Sequence, residues 1–171
     1  MTTLQILAMT GAYAVVLVAV IYFSRAPSDR VVGALAGGAA AGCVGLGAIA
    51  LGEKLGMWRV FLPSTSSAWL LLYLGLAVSC APIYLVTWRV ARRFDHRGLA
   101  ACLVIVGVVG PPRDYLYAAI YPEWMVFARG VAPVLADAAT YVAIVAVGHA
   151  VMRLVSGPAR GSRLARERSA A

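Results

Sequence analysis

Apolar residues in this chain fall in long runs separated by short polar stretches. Residues 4–23 contain no charged side chain. A helix that crosses the ~30 Å hydrocarbon core of a bilayer needs about 20 mainly apolar residues, so this run predicts a first spanning helix. Residues 24–30, with Arg25, Pro27, Asp29 and Arg30, read as a polar turn, and residues 31–51 as a second span. Residues 53–66 form a longer connection that keeps Leu55, Trp58, Phe61 and Leu62. That composition suits a segment lying among lipid head groups. Residues 67–88 predict a third span with Pro82 inside it, and Ser64, Ser66 and Ser67 look like caps at its start.

The next element has two readings. Residues 89–98 are strongly basic, with Arg89, Arg92, Arg93 and Arg97. The apolar run at residues 99–110 would extend only about 18 Å as a helix, too short to cross. Either it re-enters the face it left, or the helix continues through Pro111-Pro112 to Tyr121 as a fourth span kinked at the prolines. Continuation is expected, because residues 115–121 are apolar and aromatic and membrane helices tolerate proline. Residues 123–130 form a second connection, and residues 131–155 the fifth span. The fold expected is therefore all-α. Residues 1–155 make a polytopic bundle of five transmembrane helices, and residues 156–171 a disordered, basic cytoplasmic tail carrying Arg160, Arg163, Arg166 and Arg168.

Composition agrees. Of 171 residues, 62% are hydrophobic and only 13% charged, whereas soluble domains are roughly half apolar and about a quarter charged. This excludes a soluble globular enzyme, a disordered chain and a disulfide-stapled secreted module. Residues 1–4 lack Lys and Arg, so the first run is expected to be a retained helix rather than a signal peptide. Lys54 is the single lysine, and the abundant Ala, Gly and Arg share GC-rich codons, so a bacterial source is expected.

The formal charge of +8 first suggests nucleic acid, but there is no basic stripe with interleaved aromatics. The positive-inside rule explains it better. With five spans and the N-terminus outside, eleven cations fall inside and four, Lys54, Arg59, Arg113 and Arg129, outside. The localisation expected is a bacterial cytoplasmic membrane, N-terminus out and C-terminus in.

Candidate chemistry is sparse. Cys43, Cys80 and Cys102 are isolated, and no zinc spacing exists, so neither metal nor cofactor is expected. Hydrolase, Walker, dinucleotide and zincin motifs are absent. The second span carries Gly33, Gly37, Gly38, Gly42 and Gly45, including two Gly-x-x-x-Gly pairs. Such a face packs against neighbouring helices of the chain or against a homo- or hetero-oligomeric partner.

The most unusual segment is Gly110-Pro111-Pro112-Arg113-Asp114-Tyr115. Its prolines free backbone carbonyls that protein, water or ligand must satisfy, and a cation and a carboxylate lie beside them. Counted inward from the outer boundary, Arg113 and Asp137 lie about 12 and 9 Å deep, so the two are expected to pair. Tyr117 and Tyr141 sit a turn away, and Glu123 and Arg129 cap the same end. The group Arg113, Asp114, Tyr117, Glu123, Asp137 and Tyr141 reads as a structural ion pair or as a polar ligand pocket, with Asp114, Glu123 and Asp137 as acid–base candidates. His149 is 12 residues from Asp137, too far for a dyad, and reads as structural or interfacial; His96 reads as solvated.

Three functions follow from these features. The first is an accessory, scaffold or lipid-binding subunit of a membrane complex. The second is a membrane enzyme acting on a lipid or isoprenoid through the pocket, and the third an oligomeric carrier or channel. Membrane lipids are the expected partners and nucleic acid is not.

Overall fold

A computed structural model describes residues 2–62 and 66–158. It is helical, with one short strand pair: α1 (Thr3–Ser24), α2 (Ser28–Lys54), β1 (Trp58–Val60), α3 (Ser66–Ile120), β2 (Met125–Phe127) and α4 (Val131–Ser156). Four of these helices are long and apolar enough to cross a membrane.

Local chemistry sets the helix ends. Thr2 Oγ1 accepts from the Gln5 N–H at 3.3 Å, and Gln5 Oε1 accepts from the Thr2 N–H at 2.7 Å. This reciprocal capping satisfies two otherwise unpaired donors at the start of α1. Arg25 takes a left-handed conformation (φ 46°) and ends the helix. Pro27 then precedes α2, so Asp29 and Arg30, expected in a turn, belong to its first turn.

The 55 residues of α3 would extend about 80 Å as one straight helix. Yet β1 lies just before it and β2 just after it, and the two pair antiparallel through Trp58↔Phe127, Arg59↔Val126 and Val60↔Met125. The chain therefore doubles back. The break is at Asp95 (φ 55°, ψ −144°), where the backbone leaves helical geometry. Aspartate adopts positive φ at lower cost than most residues. Gly98, three residues on, permits the tight return: a Cβ there would lie 2.7 Å from Val90 Cγ1. The expected ten-residue basic loop is thus a single-residue break, and Arg89, Arg92 and Arg93 stand on helix. Residues 96–120 form one helical arm whose backbone stays helical through Pro111 and Pro112.

The two arms of α3 run in opposite directions along α4. Tyr84 and Thr87 of the first arm meet Ile144 and His149, in rising order. Gly107 and Gly110 of the second arm face Val142 and Tyr141, in falling order.

Helix α2 packs between α3 and α4 on its glycines. A Cβ at Gly37 would lie 2.5 Å from the Gly148 carbonyl of α4, and one at Gly42 2.9 Å from the Tyr73 ring of α3. Gly33 meets Met152 and Ser156, and Gly38 meets Ala77. The face expected to serve either neighbours or a partner chain is thus filled from within. Helix α1, by contrast, packs chiefly on α3 and buries only Ile6.

Large apolar side chains lie on the outside of the bundle as well as in its core. The interior holds Ala34, Ala41, Ala81 and the glycines, together with Leu85, Trp88, Val145 and Met152 and the polar Tyr84, Thr87, Asp137 and His149. The outer surface carries Val15, Phe23, Val104, Val108, Leu116 and Leu154. Small residues inside and large apolar ones outside fit helices that associate by close backbone approach in an apolar solvent.

Seven of the ten described arginines, Arg25, Arg30, Arg89, Arg92, Arg93, Arg97 and Arg153, gather at one end of the bundle. Arg89 donates to the Ser24 carbonyl, and Arg30 donates to the carbonyls of Gly157 and Pro158, both at 2.8 Å. Cations suit the unsatisfied carbonyls of a helix C-terminus. The Trp88 ring lies against both Arg30 (5.4 Å) and Arg92 (5.8 Å). Ser156, expected to open the tail, is the last residue of α4, and Gly157 and Pro158 are held by Arg30. The rest of the expected tail, with Arg160, Arg163, Arg166 and Arg168, lies outside the described residues, as does Ser64.

Candidate functional site

A cavity of about 290 Å³ opens at the end opposite this arginine cluster, beneath the β1–β2 pair. Every helix contributes to its wall: Met9 and Tyr13 from α1, Ile49 from α2, Leu76 from the first arm of α3, Ala118 from the second and Ile144 from α4. The strands form its roof. Trp58 is buried, donates its indole N–H to the Ile49 carbonyl at 3.3 Å, and lies edge-on to Phe127 at 6.0 Å. Gly52 makes this seat, since a Cβ there would collide with the Trp58 ring. Phe127 in turn stacks on Tyr115 at 4.1 Å, and Tyr121 on Trp124 at 4.4 Å. Rings offset in this way add to the apolar area they bury.

The polar side chains of the wall are Arg113, Asp114, Asp137, Ser79, Thr140 and several tyrosines. Arg113 donates to Asp114 Oδ1 from Nε at 3.0 Å and from Nη2 at 2.9 Å, and its guanidinium lies 5.3 Å from the Tyr141 ring centre. Gly110 lets that ring approach the second arm closely. The expected Arg113–Asp137 pair is therefore replaced by Arg113–Asp114. Matched depth put the two residues on one level, but depth along a helix leaves rotation about its axis free. The long arginine side chain reaches the adjacent carboxylate without crossing between helices.

Asp137 is consequently left in a different state. It is 5% exposed, and its Oδ2 is buried with no hydrogen-bond partner. A buried polar group without a partner costs about 1–3 kcal/mol, more when charged, and such groups are rare in folded proteins. The Trp124 indole N–H, on the same wall, is also buried without a partner.

Of the residues singled out in the sequence, the cavity brings together Arg113, Asp114, Tyr117, Asp137 and Tyr141. Glu123 does not join them: it is exposed in the turn between α3 and β2, outside the wall. Tyr13, Trp58, Ser79, Trp124 and Thr140 line the cavity and were not singled out. Ser79 Oγ donates to the Leu76 carbonyl at 3.0 Å and Thr140 Oγ1 to the Ala136 carbonyl at 2.9 Å. Both hydroxyl protons thus go to the residues' own helices, leaving oxygen lone pairs.

His149 lies away from this site and is 3% exposed. Its Nδ1 is 3.0 Å from Thr87 Oγ1, whose proton goes to the Tyr84 carbonyl at 3.1 Å. Nδ1 is then the donor, and the imidazole is a structural link between α3 and α4. Among the described residues no three His, Cys, Asp or Glu side chains cluster as metal ligands. No family model matches the chain, and no curated protein or solved structure is significantly similar to it.

Proposed function

We propose that the chain is an integral membrane protein that crosses the bilayer five times and binds an amphiphilic lipid in the cavity beneath its strand pair. The five crossings are α1, α2, the two arms of α3, and α4. The arginine end faces the cytoplasm and the cavity faces the outer leaflet of a bacterial cytoplasmic membrane, as the cation distribution favours. The protein acts through binding, as a lipid-holding or accessory subunit of a membrane complex.

The observation that carries this reading is the cavity itself. It is lined by every helix and roofed by aromatics, and its apolar wall is broken by a few convergent polar groups. Binding sites for small apolar molecules have this composition. A second reading, an enzyme acting on the same lipid, draws on the carboxyl groups of Asp114 and Asp137 in that wall.

Native mass spectrometry of the full chain released from mild detergent tests the proposal. A co-purified, non-detergent amphiphile is expected at up to one per chain. Ala118→Trp, which puts an indole into the cavity, should lower its occupancy at least about tenfold, the effect of about 1.4 kcal/mol. Equal occupancy in the wild type and in Ala118→Trp would show that any bound lipid sits elsewhere.

A further inference from the structure

The unpartnered groups of the cavity define the head group it accepts, an inference that rests on the binding role proposed above. Among the described residues that line the cavity, Arg113 is the only Lys or Arg, and its charge is met by Asp114 at 2.9 Å. Asp137 adds a second carboxyl group with no cation of its own. An anionic head group, whether carboxylate or phosphate, would enter a wall with two carboxyl groups and one guanidinium, whose charge Asp114 already meets. A fully ionised anion also offers no donor to Asp137 Oδ2 in its carboxylate form.

The simplest lipid head groups that supply a donor are an ammonium and a hydroxyl. The Trp124 indole N–H decides between them. It is the complementary orphan on the same wall, a donor in need of an acceptor. An ammonium has three donors and no acceptor, whereas a hydroxyl oxygen donates once and accepts twice. Bringing an ammonium into a largely apolar cavity also carries a desolvation penalty that a neutral hydroxyl avoids.

We infer that the cavity binds an uncharged, hydroxyl-bearing lipid whose O–H is donated to Asp137 and whose oxygen functions accept from Trp124. Long-chain alcohols and monoacylglycerols have this chemistry; fatty acids, lipid phosphates and long-chain amines do not.

The test compares single-chain probes of one length on the purified full-length protein in mild detergent. Dodecanol, monolauroylglycerol, dodecylamine, laurate and dodecyl phosphate are ranked by the affinities obtained from their thermal shifts. The two hydroxyl probes are expected to bind at least about tenfold more tightly than laurate or dodecyl phosphate, and more tightly than dodecylamine. Tenfold corresponds to one well-made hydrogen bond to a charged or buried group.

Asp137→Leu should abolish that preference without lowering the melting temperature of the unliganded protein, since it removes a buried carboxyl group that has no partner. Asp137→Asn keeps a carbonyl acceptor and should retain most of the preference. Laurate, dodecyl phosphate or dodecylamine binding as tightly as dodecanol would overturn the head-group assignment while leaving the cavity a lipid site. A preference unchanged in Asp137→Leu would also overturn it. Failure of all five probes to bind would overturn the binding reading, and this inference with it.

Discussion

Gly148→Val is expected to destabilise the protein by about 3 kcal/mol, the upper range for overpacking a filled interior. For a chain of this size that corresponds to a melting temperature lower by about 10 °C. At Gly148, a Cβ would collide with the ring and hydroxyl of Tyr84, itself fully buried. The tyrosine cannot swing aside freely, because its hydroxyl donates to the Ile144 carbonyl at 2.9 Å. On the opposite side, Gly37 of α2 faces the Gly148 carbonyl. Added volume must therefore push α2, α3 and α4 apart together. Gly47→Ala is the control, since that helical glycine has nothing within 4 Å of a Cβ. It should be neutral or slightly stabilising, by up to about 1 kcal/mol. Thermal denaturation in one detergent distinguishes the two. Similar losses from both would mean that the glycine face does not set the helix packing.

Trp58→Ala is expected to cost about 3–5 kcal/mol, the usual range for truncating a buried tryptophan. It should weaken lipid retention as well. The indole occupies the space left by Gly52, holds the Ile49 carbonyl and supports Phe127 across the strand pair. A pair of three-residue strands has little stability of its own, so the roof depends on this anchor. Trp69, 41% exposed on the first arm of α3, is the comparison. Trp69→Ala should cost under about 1 kcal/mol, in keeping with exposed positions. Equal losses at the two positions, by thermal denaturation and lipid occupancy, would contradict a structural roof.

The run lengths of apolar residues made α1, α2 and α4 legible in the sequence, because spanning a bilayer demands about 20 such residues and little else. They also carried the helix through Pro111-Pro112. The break at Asp95 was visible only as a basic segment. Its length was hidden, since the arginines there extend helices and a single residue in positive φ makes the turn. The strand pair left almost no signal. Trp58–Val60 and Met125–Phe127 are too short for a period-2 pattern, and they pair across more than sixty residues of intervening chain.

The site was legible in composition and not in pairing. Sequence depth placed Arg113 and Asp137 at one level, with Asp114 adjacent and Tyr141 a turn away, and the cavity does gather them. The azimuth of each side chain depends on how the helices pack, so the partner of Arg113 was misjudged. Glu123 was assigned to the group for its position at the helix end, where the turn instead directs it outward. Trp58 reads as an interfacial aromatic, and nothing in one sequence separates such a residue from one that roofs a cavity.

Everything assigned to the cavity rests on the second arm of α3 crossing back, so that Asp95 and the strand pair stand at opposite faces of the membrane. Single-cysteine labelling tests this most directly. In a background with Cys43, Cys80 and Cys102 replaced by alanine, His96→Cys marks the break and Arg129→Cys the strand end; both native side chains are exposed. A membrane-impermeant maleimide applied to intact cells should label Arg129→Cys and should reach His96→Cys only after permeabilisation. Labelling of both positions from the same face would contradict the five-crossing account.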